Sequence, residues 1–206
     1  MKTLSILSLL SVFLFACEAP TPPPTRKKTA SAIQDPANKP NPYVTVDLSP
    51  LDVTYFPVNF PAQLSPTDRN KPLARVLYSR PHLQGRHIFQ DVVPAGQPWR
   101  LGANEATELE LFEPATIQNK RIPEGRYSLY AIPQTGEWTI VINRKLYTWG
   151  LDIDPALDVA RFTLPVQTPD TQLEYFTIAF MGTGNEAELL IGWDNSLVKL
   201  PIRFDP

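Results

Sequence analysis

Five polar side chains able to bind or transfer something fall within one short stretch, 78–107, which reads YSRPHLQGRHIFQDVVPAGQPWRLGANEAT. Arg80, Arg86 and Arg100 offer rigid forks of N–H donors suited to carboxylate, phosphate or sulfate groups. Asn104 can donate and accept, and Glu105 can pair with an arginine or serve as an acid or base. Trp99 adds a flat apolar face on which a ligand can rest. His82 and His87 are the only histidines in the chain. With Asp91 and Glu105 they could furnish a mixed nitrogen–oxygen metal site. Their i, i+5 spacing in a Pro/Gly loop does not aim two rings at one ion, so no metal is assigned. A carboxylate pair for glycoside hydrolysis could come from Glu105 with Asp91 or Glu124. The chain has no Gly-x-Ser-x-Gly elbow, no His-Glu-x-x-His and no phosphate-cradling glycine loop. No catalytic residue and no cofactor is therefore assigned, and a binding role leads over an enzymatic one.

Two strands must position this stretch. In 105–112, Thr107, Leu109 and Leu111 alternate with Ala106, Glu108 and Glu110, as in a half-buried strand. The same parity carries Glu105 to the core side, where a carboxylate is costly unless paired. In 73–79, Arg75 must face solvent, so Val76, Tyr78 and Arg80 share the inward face. Arg80 and Glu105 are thus expected to meet at a strand end, with Arg86 or Arg100 nearby and Asn104 at the mouth. Such a cluster can be a buried Arg–Glu network that pins the 81–98 loop across one end of the fold. It can equally be a pocket for a polar or anionic ligand, with Arg80 and Arg100 taking the charge and Trp99 the apolar part.

The rest of the chain reads as β-structure. Strands are expected at 43–48, 52–56, 73–79, 105–112, 126–132, 138–143, 159–166, 175–181, 187–193 and 197–204, with 116–122, the Pro123-Glu-Gly turn and 126–132 forming a hairpin-like unit. The segment 58–72, with three prolines and Pro57 just before it, reads as irregular, and 154–158 is the only helical-looking piece. About nine or ten short strands with turns at regular spacing argue for an all-β domain, a single antiparallel β-sandwich, of which a jelly roll is one variant, since strand order is invisible in the sequence. Trp138, Trp149 and Trp193 lie in or beside strands and are expected to pack in the core or at its rim.

YSRP-x-x-x-GR-x-IF, VP-x-G-x-x-WR-x-GANEAT, PEGRYSLYAIP, EWTIVIN and WG together resemble the bacterial domain of unknown function 2911, over roughly residues 49–204. Leu101 stands where Thr is usual and Ala95 where Tyr is common, and the segment before Leu73 is longer. The resemblance implies a secreted or lipid-anchored bacterial protein and implies no activity.

The N-terminus says more about location. Lys2 precedes an apolar run over 4–15, too short to span a bilayer as a stable helix and laid out like a secretory signal. Leu14-Phe-Ala-Cys17 has the form of a lipobox, and Cys17 is the only cysteine in the chain, which rules out an internal disulfide and a cysteine-held zinc. The expected organisation is a lipoprotein signal peptide over 1–16, a lipidated Cys17 opening a Pro-rich tether over 17–42, and a β-sandwich over 43–206. Little of the tether could bury itself, and its prolines favour an extended spacer. Of the 206 residues, 19 are Lys or Arg and 21 are Asp or Glu. Losing 1–16, which carry one lysine and no acid, leaves 18 cations against 21 acids, a net charge of −3. No basic stripe exists for nucleic acid. The expected partners are a membrane, through the anchor, and an unidentified polar ligand or envelope component such as a glycan. The expected location is the bacterial cell envelope, at the periplasmic face or the outer membrane. An envelope hydrolase acting on a glycan or other polar polymer, and a purely structural envelope protein, are the alternatives.

Overall fold

The computed structural model describes residues 43, 47–58, 60–63 and 71–205. The signal segment, Cys17 and the tether lie outside the described residues, as do residues 44–46 of the first expected strand. Eleven strands, against the nine or ten expected, follow one another along the domain: β1 (Leu51–Phe56), β2 (Ala74–Ser79), β3 (Thr107–Leu111), β4 (Ala115–Ile117), β5 (Lys120–Ile122), β6 (Gly125–Gln134), β7 (Glu137–Asn143), β8 (Asp158–Pro165), β9 (Leu173–Thr183), β10 (Glu186–Asp194) and β11 (Ser196–Phe204). Among the described residues, helix is confined to two single turns, α1 (Phe60–Gln63) and α2 (Ile88–Asp91), and a 3-10 turn at Pro155–Leu157. None of these is long and apolar enough to cross a membrane.

The strands form two antiparallel sheets, ordered β1-β2-β3-β6-β7-β8 and β5-β4-β11-β10-β9. The expected hairpin of 116–122 with 126–132 is corrected: 115–122 folds on itself as β4 and β5, and the Pro123-Glu-Gly turn carries the chain across to β6 in the other sheet. Most neighbours in space are neighbours in sequence, so the sandwich is built from meanders rather than the interleaved strands of a jelly roll. Period-two patterning decides which side chains go between the sheets. Ala74, Val76 and Tyr78 of β2, Thr107, Leu109 and Leu111 of β3, and Leu189 and Ile191 of β10 are all buried. Phe56 stacks on Phe204 at 5.4 Å and lies 5.9 Å from Phe180, bringing β1, β11 and β9 into one aromatic group. At the opposite end Trp99, Trp138, Trp193, Phe176 and Phe89 meet with ring centroids 5.0–6.0 Å apart. Each such pair contributes about 0.5–1.5 kcal/mol beyond its burial.

The outer face of the six-stranded sheet carries ladders of opposite charge. Arg75 lies opposite Glu110 and pairs with it at 2.6 Å, while Arg126 pairs with Glu108. Farther along, Ser128, Tyr130 and Asn143 also point outward, yet all three are buried, because the excursion between β7 and β8, residues 144–157, folds back over them. Asp158 anchors that excursion. Its carboxylate accepts from Tyr130 Oη at 3.0 Å, Asn143 Nδ2 at 2.8 Å and Arg161 Nη2 at 2.6 Å. Burial, followed by the hydrogen bond to Asp158, pushes the Tyr130 phenol up to about 12.

Candidate functional site

The conspicuous 78–107 stretch is divided between two tasks. Its first part continues β2 toward the other sheet. His82 bridges Tyr175 of β9, with Phe176 N donating to Pro81 O at 2.8 Å and Leu83 N to Glu174 O at 2.9 Å. Arg80 sits at this crossing, half-buried, and its guanidinium donates to Asp52 Oδ2 at 2.9 Å and to Phe176 O at 3.4 Å. The expected Arg80–Glu105 pair is corrected here. Asp52, on the inward side of β1 opposite Tyr78, is the carboxylate that meets Arg80, and Glu105 is exposed.

Glu105 fails to turn inward because the strand it belongs to is interrupted. Thr107 pairs with Leu129 of β6, so an unbroken β3 would place Glu105 opposite Ala131. Trp99 takes that rung instead: its N–H donates to Ala131 O at 2.7 Å and its carbonyl accepts from Ala131 N at 2.8 Å. Residues 100–106 are looped out between two neighbouring rungs of one ladder. The exchange puts an indole rather than a carboxylate in the core, and Trp99 is 8% exposed. The loop is set by unusual backbone: Leu101 and Asn104 both have φ +57°, and Gly102 has φ +138°. A Cβ on Gly102 would lie 2.9 Å from Ser79 O. Leu101 is fully buried and its carbonyl accepts from Thr107 Oγ1 at 2.6 Å. Asn104 Nδ2 donates to Asp47 Oδ2 at 2.6 Å, tying the loop to the first residues of the domain.

The second task is a cleft of about 630 Å³. One wall is the 92–100 segment with Arg86, the other is Gly150, Leu151 and Ile153, and Trp99 and Trp193 line it between them. Of the six candidate residues, Arg86, Trp99 and Arg100 line this cleft, whereas Arg80, Asn104 and Glu105 do not. Trp99 contributes as part of the aromatic core, not as a free-standing platform. Arg86 is braced by its own loop, Nε donating to Leu83 O at 2.9 Å and Nη2 to His82 O at 2.8 Å. Arg100 Nη1 donates to Trp149 O at 2.9 Å. Both guanidiniums thus have backbone partners and, among the described residues, no salt bridge. Burial pulls Arg100 below its usual value, with the nearby Glu105 charge opposing that pull.

The 150–153 wall was not singled out as part of the site from the sequence, although the Trp149-Gly150 pair was visible there. Gly150 has φ +73°, and a Cβ on it would fall 2.8 Å from Arg100 Cβ. Only glycine lets the two walls close on Arg100. The histidines do not converge: His82 stacks on Tyr175 at 5.4 Å, and His87 Nδ1 is 3.6 Å from Asp194 Oδ2. No group of three or more His, Cys, Asp or Glu placed to hold a metal occurs among the described residues.

Fold and cleft define an antiparallel two-sheet sandwich with a dicationic, tryptophan-lined recess at one end. The chain belongs to the family described as a protein of unknown function, DUF2911, whose profile matches residues 61–202. No curated protein and no solved structure matches it.

Proposed function

We propose that this chain is a non-catalytic binding lipoprotein of the bacterial cell envelope, held to the membrane through Cys17 and a Pro-rich tether. Its ligand is polar and anionic with an apolar face, as in an acidic glycan. The observation that carries this is the pair Arg86 and Arg100 on one cleft, each braced by backbone carbonyls and neither in a salt bridge among the described residues, with the exposed Glu105 the carboxylate near Arg100. A guanidinium has five N–H donors. Arg86 uses two and Arg100 one in these contacts, so both retain donors for a bidentate anion. Trp99, Trp193 and the prolines of the 94–98 wall supply the apolar surface. The cleft lining contains no Asp, Glu or His, which favours binding over hydrolysis by paired carboxylates.

The test is calorimetric titration of the purified chain with uronic-acid oligosaccharides beside neutral oligosaccharides of the same length. The acidic ligands are expected to bind and the neutral ones not. Arg100→Met and Arg86→Met should each weaken binding by about 10- to 100-fold, the value of a hydrogen bond to a charged group. Equal affinity for acidic and neutral ligands, or unchanged affinity in both variants, would sink the proposal. Anchorage has its own test: Cys17→Ser should move the protein from the membrane to the soluble fraction.

A further inference from the structure

Beside the cleft, residues 147–151 present an apolar surface that the domain itself leaves bare. Tyr147, Trp149 and Leu151 are 82%, 54% and 75% exposed. The backbone that carries them is fixed. Thr148 O accepts from Ala106 N at 3.0 Å, Trp149 O from Arg100 Nη1 at 2.9 Å, and Gly150 is buried against Arg100. Alternate residues therefore face the protein, and the three large apolar ones are held outward. Arg126 sits 5.1 Å from the centre of the Tyr147 ring and donates to its hydroxyl at 2.8 Å. Tyr, Trp and Leu are thus held in a row facing water, and Tyr and Trp are the side chains that settle at a membrane–water interface.

The position of the row points to its occupant. Ser49, among the first residues of the domain, lines the same cleft as Gly150 and Leu151. Leu48 and Leu51, on either side of it in sequence, are 69% and 60% exposed. The first residues of the domain thus lie beside this surface. We propose that the 147–151 surface rests on the phospholipid headgroup layer of the membrane to which Cys17 tethers the chain. Trp149 and Tyr147 lie at headgroup depth and Leu151 reaches the acyl boundary, with the exposed Arg144 at phosphates. The contact is weak alone and is made effective by the high local concentration a short tether imposes. It turns the cleft, whose rim includes Leu151, toward ligands at headgroup level. This inference rests on the lipid-anchor part of the proposed function, not on the identity of the cleft's ligand.

Trp149 reports on the contact, because the other three tryptophans are at most 8% exposed. The chain from Cys17 onward keeps every described residue. Coupling its only cysteine, Cys17, to a maleimide-headed lipid places it on vesicles of phosphatidylethanolamine and phosphatidylglycerol whether or not a cell lipidates it. With brominated acyl chains in those vesicles, Trp149 fluorescence should be quenched and its quenching by aqueous iodide should drop several-fold. Both changes should vanish in Trp149→Phe, and a Tyr147→Ser/Leu151→Ser chain with an unchanged melting curve should lose most of the bromolipid quenching. An anchored chain whose Trp149 stays as accessible to iodide as in solution overturns the proposal. So does shielding of Trp149 that needs no vesicle and grows with protein concentration, which would assign the surface to a second copy. A failure of lipidation in cells would remove the anchor without altering this measurement.

Discussion

At the scale of single residues, charge that looked alike in the sequence divides by partner. Arg80 is structural: it joins Asp52 of β1 to the Phe176 carbonyl of β9 across the edge of the sandwich. Arg86 and Arg100 lack such a carboxylate and face the cleft. Glu105, expected to be a buried partner, is exposed, so Glu105→Ala should change unfolding free energy by no more than about 0.5 kcal/mol in denaturant melts. A buried, paired carboxylate would cost roughly 3–5 kcal/mol, so the two outcomes are well separated. Tyr130 makes a prediction in pH. Its folded-state value of about 12 lies above the ordinary tyrosine value of 10.0. The stability it contributes is complete below pH 10 and is lost as pH rises from there toward 12. Tyr78 and Tyr127, raised by burial, act in the same direction. Alkaline unfolding followed by circular dichroism should therefore be less steep between pH 10 and 12 in Tyr130→Phe than in the wild type. At neutral pH the variant should lose about 1–3 kcal/mol with the hydrogen bond to Asp158.

At the scale of elements, strands were legible wherever one face meets the core. Alternation correctly assigned Thr107, Leu109 and Leu111 to the inside and Glu108 and Glu110 to the outside, because a one-residue error would bury both carboxylates. It failed at Glu105, since parity counts residues and cannot see that Trp99 has taken the next rung. The GANEAT loop is encoded instead in residues that tolerate positive φ, Gly102 and Asn104. Gly102→Ala should destabilise the domain by about 1–3 kcal/mol, as a Cβ at φ +138° meets Ser79 O at 2.9 Å. The 144–157 excursion was also illegible as a cover. Its mixed polar and apolar residues have no period, and what it covers, Ser128, Tyr130 and Asn143, looks in sequence like an ordinary solvent-facing set. The site was accordingly half-read: one wall and two cations came from the sequence, and the opposing wall came only from the fold.

At the scale of the whole molecule, two open sheets need their margins tied, and the ties are polar. Along one margin Thr54 Oγ1 accepts from Phe180 N at 3.3 Å and Arg80 reaches Phe176. Along the other, Lys120 donates to Val159 O, and Gln167 bridges Leu197. The cleft lies at the end where Trp99, Trp138, Trp193, Phe176 and Phe89 meet, so its walls stand on that aromatic group. The looped-out residues between Trp99 and Thr107 carry one more implication. Cutting the chain between Asn104 and Glu105 severs no rung of either sheet. One fragment keeps β1, β2 and Trp99; the other keeps β3 to β11, with Ala131 as Trp99's partner across the cut. They share the β2–β3 ladder and the pairing of His82 with Tyr175. Co-produced as 17–104 and 105–206, the two pieces should reassemble and co-purify, whereas 105–206 alone should leave β3 and β9 bare and aggregate. The domain would then serve as a split reporter, its two halves signalling whenever two other proteins bring them together.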